Sequence, residues 1–399
     1  ALLIIAKIAP VSPFSVASGF IIVKVLLVIC FILGAKIAWK TLCLKPYLSI
    51  SKLKVLLPSF MLSIDHIYPL LAEKKSIVVT MHQKPDGDAM GSSLGLYHFL
   101  LQQGHQVTVI SPTNWASFLN WMPGCKKVLD YERETDKSNK LLSAADFIFC
   151  LDFNTLSRTK KMEEVLLNGT VAKVLIDHHQ QPQTAVFAYG ISDTNKSSTA
   201  EMVYDFIINS GHENLLMNST ADCLYAGVMT DTGSFRFPST SPGVHRMIAS
   251  LMEKGLKHSK VHEHLFDNYS ENRFRFIGNA LLNRMEVFYE YNTALIAVPQ
   301  ADLIKYDIKT GDTEGLVNFP LSIQGIKLAA IIIDRGEERK CSFRSKGDFD
   351  VNVFARTFFD GGGHVNAAGG QSKESLENVV VLFKKAIKEN ADKLSTYKF

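Results

Sequence analysis

The sequence predicts an α/β protein in which a doubly wound, mainly parallel sheet is followed by a smaller α/β domain. Short apolar runs of strand length alternate along the chain with stretches of helix length, which is typical of doubly wound sheets. Several of these runs end directly in polar residues, as in Leu151-Asp152, and ligands bind at the strand ends of such sheets. The 399 residues, 47% of them hydrophobic, suffice for two or three domains.

The predicted elements of the first domain alternate between strand and helix from residue 76 onward. Gly104 ends the first helix, and Ser197 or Ser198 is a suitable N-cap for the second. The predicted strands are Ile77–Thr80, Gln106–Ser111, Phe147–Leu151 and Lys173–Ile176. The predicted helices are Ser92–Gln103, Ser198–Asn209 and Ser219–Met229.

The second domain follows a charge-rich stretch, 253–284, which predicts a helical linker. Its predicted elements are the strands Thr293–Val298, Lys327–Asp334 and Lys340–Arg344 and the helices Val351–Phe359 and Glu374–Asn390. The predicted organisation is an N-terminal extension at 1–60, a first domain at 61–252, the linker at 253–284 and a second domain at 285–399.

Composition excludes several classes of protein. Residues 1–60 contain seven lysines and no acidic residue, which leaves 36 basic and 39 acidic residues in 61–399. A mildly acidic body does not fit a protein that coats long nucleic acid. The six cysteines include no C-x-x-C pair, which argues against a disulfide scaffold or a thiolate zinc site and favours a reducing compartment.

Residues 1–60 allow two interpretations. Gly19–Ala35 is nearly long enough to span a bilayer, although Lys24 interrupts it. The five lysines that follow would leave the rest of the chain in the cytoplasm by the positive-inside rule. Alternatively, the stretch is not part of the working protein, because the sequence begins at Ala1 and Met61 directly precedes a normal domain start. Both interpretations predict a cytoplasmic body, anchored to a membrane only in the first.

Polar side chains follow four of the predicted elements, and we expect them to meet at one edge of the sheet. These candidate metal ligands are His82, Asp86, Asp88, Asp152, His178 and Asp231, with Asp177 behind them and His179 beside them. Clustered carboxylates would repel one another unless cations neutralised them. Oxygen and imidazole ligands suit Mn²⁺ or Mg²⁺ better than Zn²⁺, Co²⁺ or Fe²⁺. Gly91-Ser92-Ser93 is predicted to begin the following helix, whose N-terminal amides would face an anion.

These motifs together resemble the DHH phosphoesterase superfamily. They are His82-x-x-x-Asp86-x-Asp88, Leu151-Asp152, Asp177-His178-His179 and Asp231-Thr232-Gly233. Gly361-Gly362-Gly363-His364 and the following Ala367-Ala368-Gly369-Gly370 resemble the DHH-associated domain, and Arg344 matches its substrate-binding arginine. The resemblance covers nearly all of 61–399. It is greatest to the bifunctional oligoribonucleases that are also 3′-phosphoadenosine 5′-phosphate (PAP) phosphatases.

The resemblance implies a role for each residue. His82, Asp86 and a bridging Asp152 would hold one metal, and Asp88, Asp152, His178 and Asp231 would hold the second. Two divalent cations are expected, Mn²⁺ first, with Mg²⁺ or Co²⁺ as alternatives. The catalytic pair would be Asp177, which orients the histidines, and His179, which contacts the reacting phosphate. The substrate-binding residues would be Arg344, Gly362, Gly363 and His364, with the glycine loop exposing backbone amides.

The implied function is two-metal hydrolysis of short RNA oligonucleotides to mononucleotides and of PAP to AMP. Long duplex nucleic acid is not an expected partner, and a homodimer is a candidate assembly. Two alternatives stay open: a phosphodiesterase for cyclic di-AMP or a linear dinucleotide, and a catalytically silent nucleotide-binding module. RecJ-type exonucleases are longer, and manganese pyrophosphatases lack the Gly-Gly-Gly-His loop.

Overall fold

The computed structural model describes residues 61–395, so the predictions for 1–60 lie outside the described residues. Within 61–395, none of the helices is both long and apolar enough to cross a membrane.

The first domain is built on a seven-stranded sheet whose paired strands all run parallel. Its strands are β1 (Leu62–Ser63), β2 (Ser76–Thr80), β3 (Gln106–Ser111), β4 (Leu129–Asp130), β5 (Phe147–Leu151), β6 (Ala172–Asp177) and β7 (Tyr189–Ser192). Their order across the sheet is β1-β7-β6-β5-β2-β3-β4, so the chain reverses its winding direction between β2 and β5. Such a switch point is where open α/β sheets bind ligands.

Helices cover both faces of this sheet. Val79 and Phe149 pack on one face within the larger core, whereas Val78 and Ile148 pack on the other. This alternation follows from the two-residue period of a strand and confirms the predicted doubly wound class. The helices are α1 (Gly87–Gln102), α2 (Thr135–Ala144), α3 (Glu163–Asn168), α4 (Thr199–Asn209), α5 (Asn218–Asp231), α6 (Pro242–Glu253) and α7 (His258–Phe266).

Helix α1 begins at Gly87, five residues before the predicted start at Ser92. Asp86 is its N-cap and accepts hydrogen bonds from the amides of Asp88 and Ala89. Gly91-Ser92-Ser93 is therefore buried inside the helix, and its amides do not face an anion. Gly91 allows α1 to approach α5 closely: a Cβ atom on Gly91 would lie 2.4 Å from the carbonyl oxygen of Cys223.

The second domain contains a six-stranded mixed sheet. Its strands are β8 (Met285–Phe288), β9 (Thr293–Val298), β10 (Leu328–Asp334), β11 (Arg339–Ser345), β12 (Gly362–His364) and β13 (Ala367–Ser372), in the order β12-β13-β11-β10-β9-β8. Only β9 and β10 pair in parallel among these described strands. The helices are α8 (Glu271–Asn283), α9 (Gln300–Lys305), α10 (Asn318–Leu321), α11 (Val351–Phe358), α12 (Leu376–Glu389) and α13 (Ala391–Ser395).

The charge-rich stretch 253–284 is largely helical, as expected. It contains α7 and α8, and Phe276 and Ala280 of α8 pack with Ile296 and Ile331 of the second sheet. The last helix of the stretch therefore contributes to the core of the second domain.

Candidate active site

The predicted metal ligands come together at the carboxyl edge of the first sheet. His82 follows β2 and Asp152 follows β5, the two strands at the switch point, while His178 follows β6. The ligand atoms of His82, Asp86 and Asp152 lie within 4.8 Å of one another, as do those of Asp88, His178 and Asp231. The structure thus brings together every ligand that the motifs predicted.

His82 is held with one ring nitrogen directed at two carboxylates. Its Nδ1 is 2.7 Å from the carbonyl oxygen of Gln83, so we assign the ring proton to Nδ1. Nε2 then lies 3.4 Å from Asp152 Oδ2 and 3.8 Å from Asp86 Oδ1. A carbonyl that fixes the tautomer and leaves the other nitrogen free is the usual arrangement for a ligating histidine.

His178 repeats this arrangement on the other side of Asp152. Its Nδ1 is 3.3 Å from the carbonyl oxygen of Lys196. Its Nε2 lies 3.4 Å from Asp231 Oδ2, 3.5 Å from Asp152 Oδ1 and 3.8 Å from Asp88 Oδ2. This nitrogen is buried and has no hydrogen-bond partner among the described residues. Asp152 presents Oδ2 to His82 and Oδ1 to His178, which is the geometry of a bridging carboxylate.

The first turn of α4 fixes two of the carboxylates. The amides of Thr199 and Ala200 donate to Asp88 Oδ2 and Oδ1 over 2.7 and 2.9 Å. The hydroxyl of Thr199 donates to Asp152 Oδ1 over 3.0 Å. Asp152 itself has a φ of 62°, in the left-handed region that non-glycine residues seldom occupy. Surrounding contacts must therefore impose its conformation, and Thr199 is one of them.

The clustered charges shift the pKa values in opposite directions. Burial, followed by the charges of Asp152 and Asp231, raises the pKa of Asp88 well above its usual range. Burial raises the pKa of Asp231 to about 7. Burial opposes charge on Asp152 too, but the neighbouring His178 and His82 rings hold its pKa well below its usual range. The cluster therefore has an excess of negative charge that bound protons or cations must balance.

The pKa values of His82 and His178 reflect the same excess of negative charge. Burial lowers the pKa of each ring, but the neighbouring carboxylates outweigh burial. The pKa of His82 is raised to about 9 and that of His178 to about 10.

The His179 ring lies between the carboxylate of Asp177 and the guanidinium group of Arg158. Its Nδ1 lies 2.7 Å from Asp177 Oδ1, and its Nε2 lies 3.1 Å from Nη1 of Arg158. The same Arg158 nitrogen is 3.3 Å from the carbonyl oxygen of Asp152. Asp177 thus orients His179, whereas the carbonyl of Lys196 orients His178. The expectation that Asp177 orients both rings needs this correction.

Residues of the second domain face the same centre. The ring of His364 lies 4.6 Å from that of His178 and 4.5 Å from that of His179, measured between centroids. Burial, then the two neighbouring histidines, lowers the pKa of His364 to about 3, so this ring is neutral near pH 7. The Arg344 guanidinium acts electrostatically on Asp231 and Asp86 and donates to the Phe343 carbonyl oxygen over 3.0 Å.

The glycine segment is an edge strand rather than a loop that exposes its amides. Gly362 and His364 pair with β13, and the amide of Gly363 donates to Asn352 Oδ1 over 2.9 Å. Asn352 Nδ2 also lies 3.3 Å from Gln180 Oε1 in the first domain. The predicted exposure of the Gly363 amide is wrong in this structure. The segment positions the His364 side chain instead.

Sequence reasoning missed four residues that support this centre: Arg158, Lys196, Thr199 and Asn352. Thr199 follows the predicted N-cap Ser198. A helix N-terminus directed at a cluster of acidic residues was the available sequence signal for its role. Arg158 and Asn352 carry no local motif, and Lys196 acts only through its carbonyl group.

Comparison with known proteins identifies the family. The model described as "DHH family, N-terminal domain" matches residues 76–228, and the DHHA1 domain model matches 292–391. The bifunctional oligoribonuclease and PAP phosphatase NrnA of Thermus thermophilus is 30% identical over 304 residues, which cover 76% of this chain and 86% of that protein. The chain belongs to the DHH family. The predicted resemblance to DHH phosphoesterases with a DHH-associated domain is confirmed.

Two further relatives agree with this membership. Bacillus subtilis NrnA, also named a bifunctional oligoribonuclease and PAP phosphatase, is 25% identical over 297 residues, or 74% of this chain and 88% of that protein. A crystal structure of an exopolyphosphatase-related protein from Bacteroides fragilis is 39% identical and superposes with a TM-score of 0.79. The superposition covers 83% of this chain and 97% of the Bacteroides fragilis chain. This DHH protein is a hydrolase of the phosphoesterase class.

Proposed function

We propose that this DHH phosphoesterase degrades short RNA oligonucleotides to mononucleotides and dephosphorylates PAP to AMP. The observation that carries the proposal is a set of six metal-ligand side chains, bridged by Asp152, that faces Arg344 and His364 of the second domain. The relatives named as bifunctional oligoribonucleases and PAP phosphatases support these substrates.

The donor set fits two divalent cations. The orphaned Nε2 of His178 is directed at three carboxylates, and only oxygen and imidazole ligands are present in the cluster. One cation would be held by His82, Asp86 and Asp152, and the other by Asp88, Asp152, His178 and Asp231. Such ligands favour Mn²⁺, with Mg²⁺ or Co²⁺ as alternatives. When bound, the pair supplies Lewis acidity and a water of lowered pKa.

The protein's own side chains orient the phosphate. Asp177 Oδ1 accepts a hydrogen bond from Nδ1–H of His179, which directs the other edge of the ring towards the centre. Arg158 lies against that edge, and its remaining N–H groups are available to a phosphate oxygen. We assign His179 and Arg158 to the reacting phosphate, with Asp177 as the residue that fixes the His179 ring.

The second domain binds the far side of the substrate. Arg344 offers a forked set of donors to a phosphate, and the neutral His364 ring can donate a single hydrogen bond or stack. Because these groups face the first domain, we expect the cleft to admit a few nucleotides and to exclude long strands.

The test is hydrolysis by the full chain with Mn²⁺, and separately with a chelator. Three substrates are offered side by side: PAP, an RNA of two to five nucleotides, and cyclic di-AMP. We expect AMP from the first and mononucleotides from the second, both abolished by chelation. Asp177→Asn and His178→Gln should lose activity, whereas His212→Gln, at an exposed histidine outside every motif, should keep it.

Each other outcome contradicts the proposal. Turnover of cyclic di-AMP alone would assign the protein to signalling-nucleotide hydrolysis. No turnover together with no binding of Mn²⁺ would favour a silent nucleotide-binding module. Unchanged activity in His178→Gln would remove the metal centre from the reaction.

A further inference from the structure

The segment 196–200, at the start of α4, contacts three of the four ligands assigned to the second cation. The carbonyl oxygen of Lys196 lies 3.3 Å from His178 Nδ1. The first two amides of α4 donate to the Asp88 carboxylate, and the hydroxyl of its first residue donates to Asp152 Oδ1. That oxygen is the one that faces His178. The orientation of these ligands therefore depends on where this segment lies.

The ligands of the first cation are oriented from another part of the chain. The carbonyl group of Gln83 orients His82, and Asp86 accepts hydrogen bonds from amides in the first turn of α1. Apart from the shared Asp152, the two sets of ligands thus have separate supports. A change that displaces 196–200 should act on the second cation and spare the first.

The Glu201 side chain fixes this segment. Its Oε2 accepts two hydrogen bonds of 2.8 Å, one from the amide of Ser197 and one from the hydroxyl of the same residue. Its Oε1 lies 3.0 Å from Lys196 Nζ. Because Glu201 is only 5% exposed, water competes little for these contacts, and each is stronger than it would be at the surface.

These contacts differ from those of an ordinary helix cap. Ser198 is the N-cap of α4, and its hydroxyl oxygen accepts from the amide of Glu201 over 3.0 Å. In a capping box, the carboxylate at the third helical position accepts from the amide of the N-cap itself. Here the carboxylate accepts from the amide one residue earlier and also pairs with Lys196. It therefore fixes the loop whose carbonyl group orients His178, in addition to the end of the helix.

We propose that Glu201 is a positioning residue for the second cation. By fixing Lys196, it keeps the carbonyl group of that residue directed at His178. By fixing Ser197, it keeps the first turn of α4 directed at Asp88. The inference rests on the proposed function, because it assumes the two-cation centre, and it deepens that function by assigning the support of one cation to a residue outside every motif.

The test is titration of the metal-free full chain with Mn²⁺, followed by calorimetry in two backgrounds. His82→Gln leaves the second set of ligands intact, whereas His178→Gln leaves the first set intact. We expect Glu201→Ala to weaken Mn²⁺ binding about tenfold or more in the His82→Gln background. In the His178→Gln background it should leave Mn²⁺ binding unchanged. A general loss of structure would instead weaken binding in both.

Two further variants identify the contact that matters. Glu201→Gln keeps a side-chain oxygen that can accept from Ser197, so it should bind Mn²⁺ nearly as tightly as the protein with Glu201. Asp205→Ala is the matched control, because Asp205 lies about one turn further along α4 and pairs with the same lysine, Lys196, over 2.6 Å. It should leave Mn²⁺ binding unchanged.

The outcomes separate this inference from the proposed function. Equal losses in the two backgrounds, no loss in either, or a loss in Asp205→Ala as large as in Glu201→Ala would overturn the role of Glu201. A wild-type chain that binds two Mn²⁺ ions but hydrolyses neither PAP nor RNA would contradict the proposed function alone, and the same titrations would still decide the role of Glu201. A wild-type chain that binds no Mn²⁺ would overturn both.

Discussion

Gly91→Ala is expected to destabilise the first domain and to weaken the metal centre with it. A Cβ atom at this position would lie 2.4 Å from the carbonyl oxygen of Cys223 and 2.9 Å from the amide nitrogen of Gly227. Both are backbone atoms of α5, which cannot rotate out of the way as a side chain would. Helices α1 and α5 must therefore separate by about 1 Å to restore ordinary contact.

The size of the effect is the difference of two terms. Overpacking of this kind typically costs about 1–3 kcal/mol, and rigid backbone partners favour the upper end. Replacing a helical glycine by alanine returns about 0.5–1 kcal/mol of conformational free energy. The expected net loss is about 2 kcal/mol in the free energy of unfolding.

Urea unfolding followed by circular dichroism measures this loss. Gly278→Ala is the matched control, because Gly278 lies inside helix α8 with no atom within 4 Å of its missing Cβ. It should gain about 0.5–1 kcal/mol. Since α1 carries Asp88 and α5 ends at Asp231, only Gly91→Ala should also weaken Mn²⁺ binding. A Gly91→Ala protein as stable as the wild type would refute the close-packing argument.

Three further predictions concern single side chains. Asp152→Asn removes the bridging charge, so Mn²⁺ bound per chain, measured by atomic emission, should fall below the wild-type value and PAP hydrolysis should fall at least about a hundredfold. Thr199→Val deletes the hydroxyl that donates to Asp152, and we expect Mn²⁺ affinity to fall about tenfold or more. Thr199→Ser keeps the hydroxyl and should bind Mn²⁺ nearly as tightly as the wild type. Equal affinities of the two variants would contradict this role of the hydroxyl. Burial, then the charge of Lys75, lowers the pKa of His105. Because the folded state therefore resists protonation of this ring, the free energy of unfolding should decrease as the pH falls below about 6.5. His105→Asn should flatten that pH dependence in urea titrations, and an unchanged slope would show that other groups cause it.

Two errors in the predicted elements involve glycines. The predicted start of α1 at Ser92 is too late by more than a turn, because Gly87 and Gly91 lie inside the helix, where close packing against α5 makes glycine necessary. Strands β12 and β13 were missed because their glycines carry no strand signal, and pairing across the sheet supplies it. Strands β3, β5 and β9 were predicted with the bounds that the structure has, since each is an apolar or β-branched run between turn signals.

The sequence by itself indicated the doubly wound class, the second domain and the candidate metal-ligand side chains. It could do so because parallel strands end at one edge, so polar residues after successive strands must meet there. Only the tertiary structure decided that Asp152 bridges the two groups, that Arg158 supports His179 and that His364 closes over both histidines. These contacts join residues far apart in the chain, as between Asp88 and Thr199, 111 positions away. Local pattern carries no information about such distances, because packing fixes them only when the whole chain has folded.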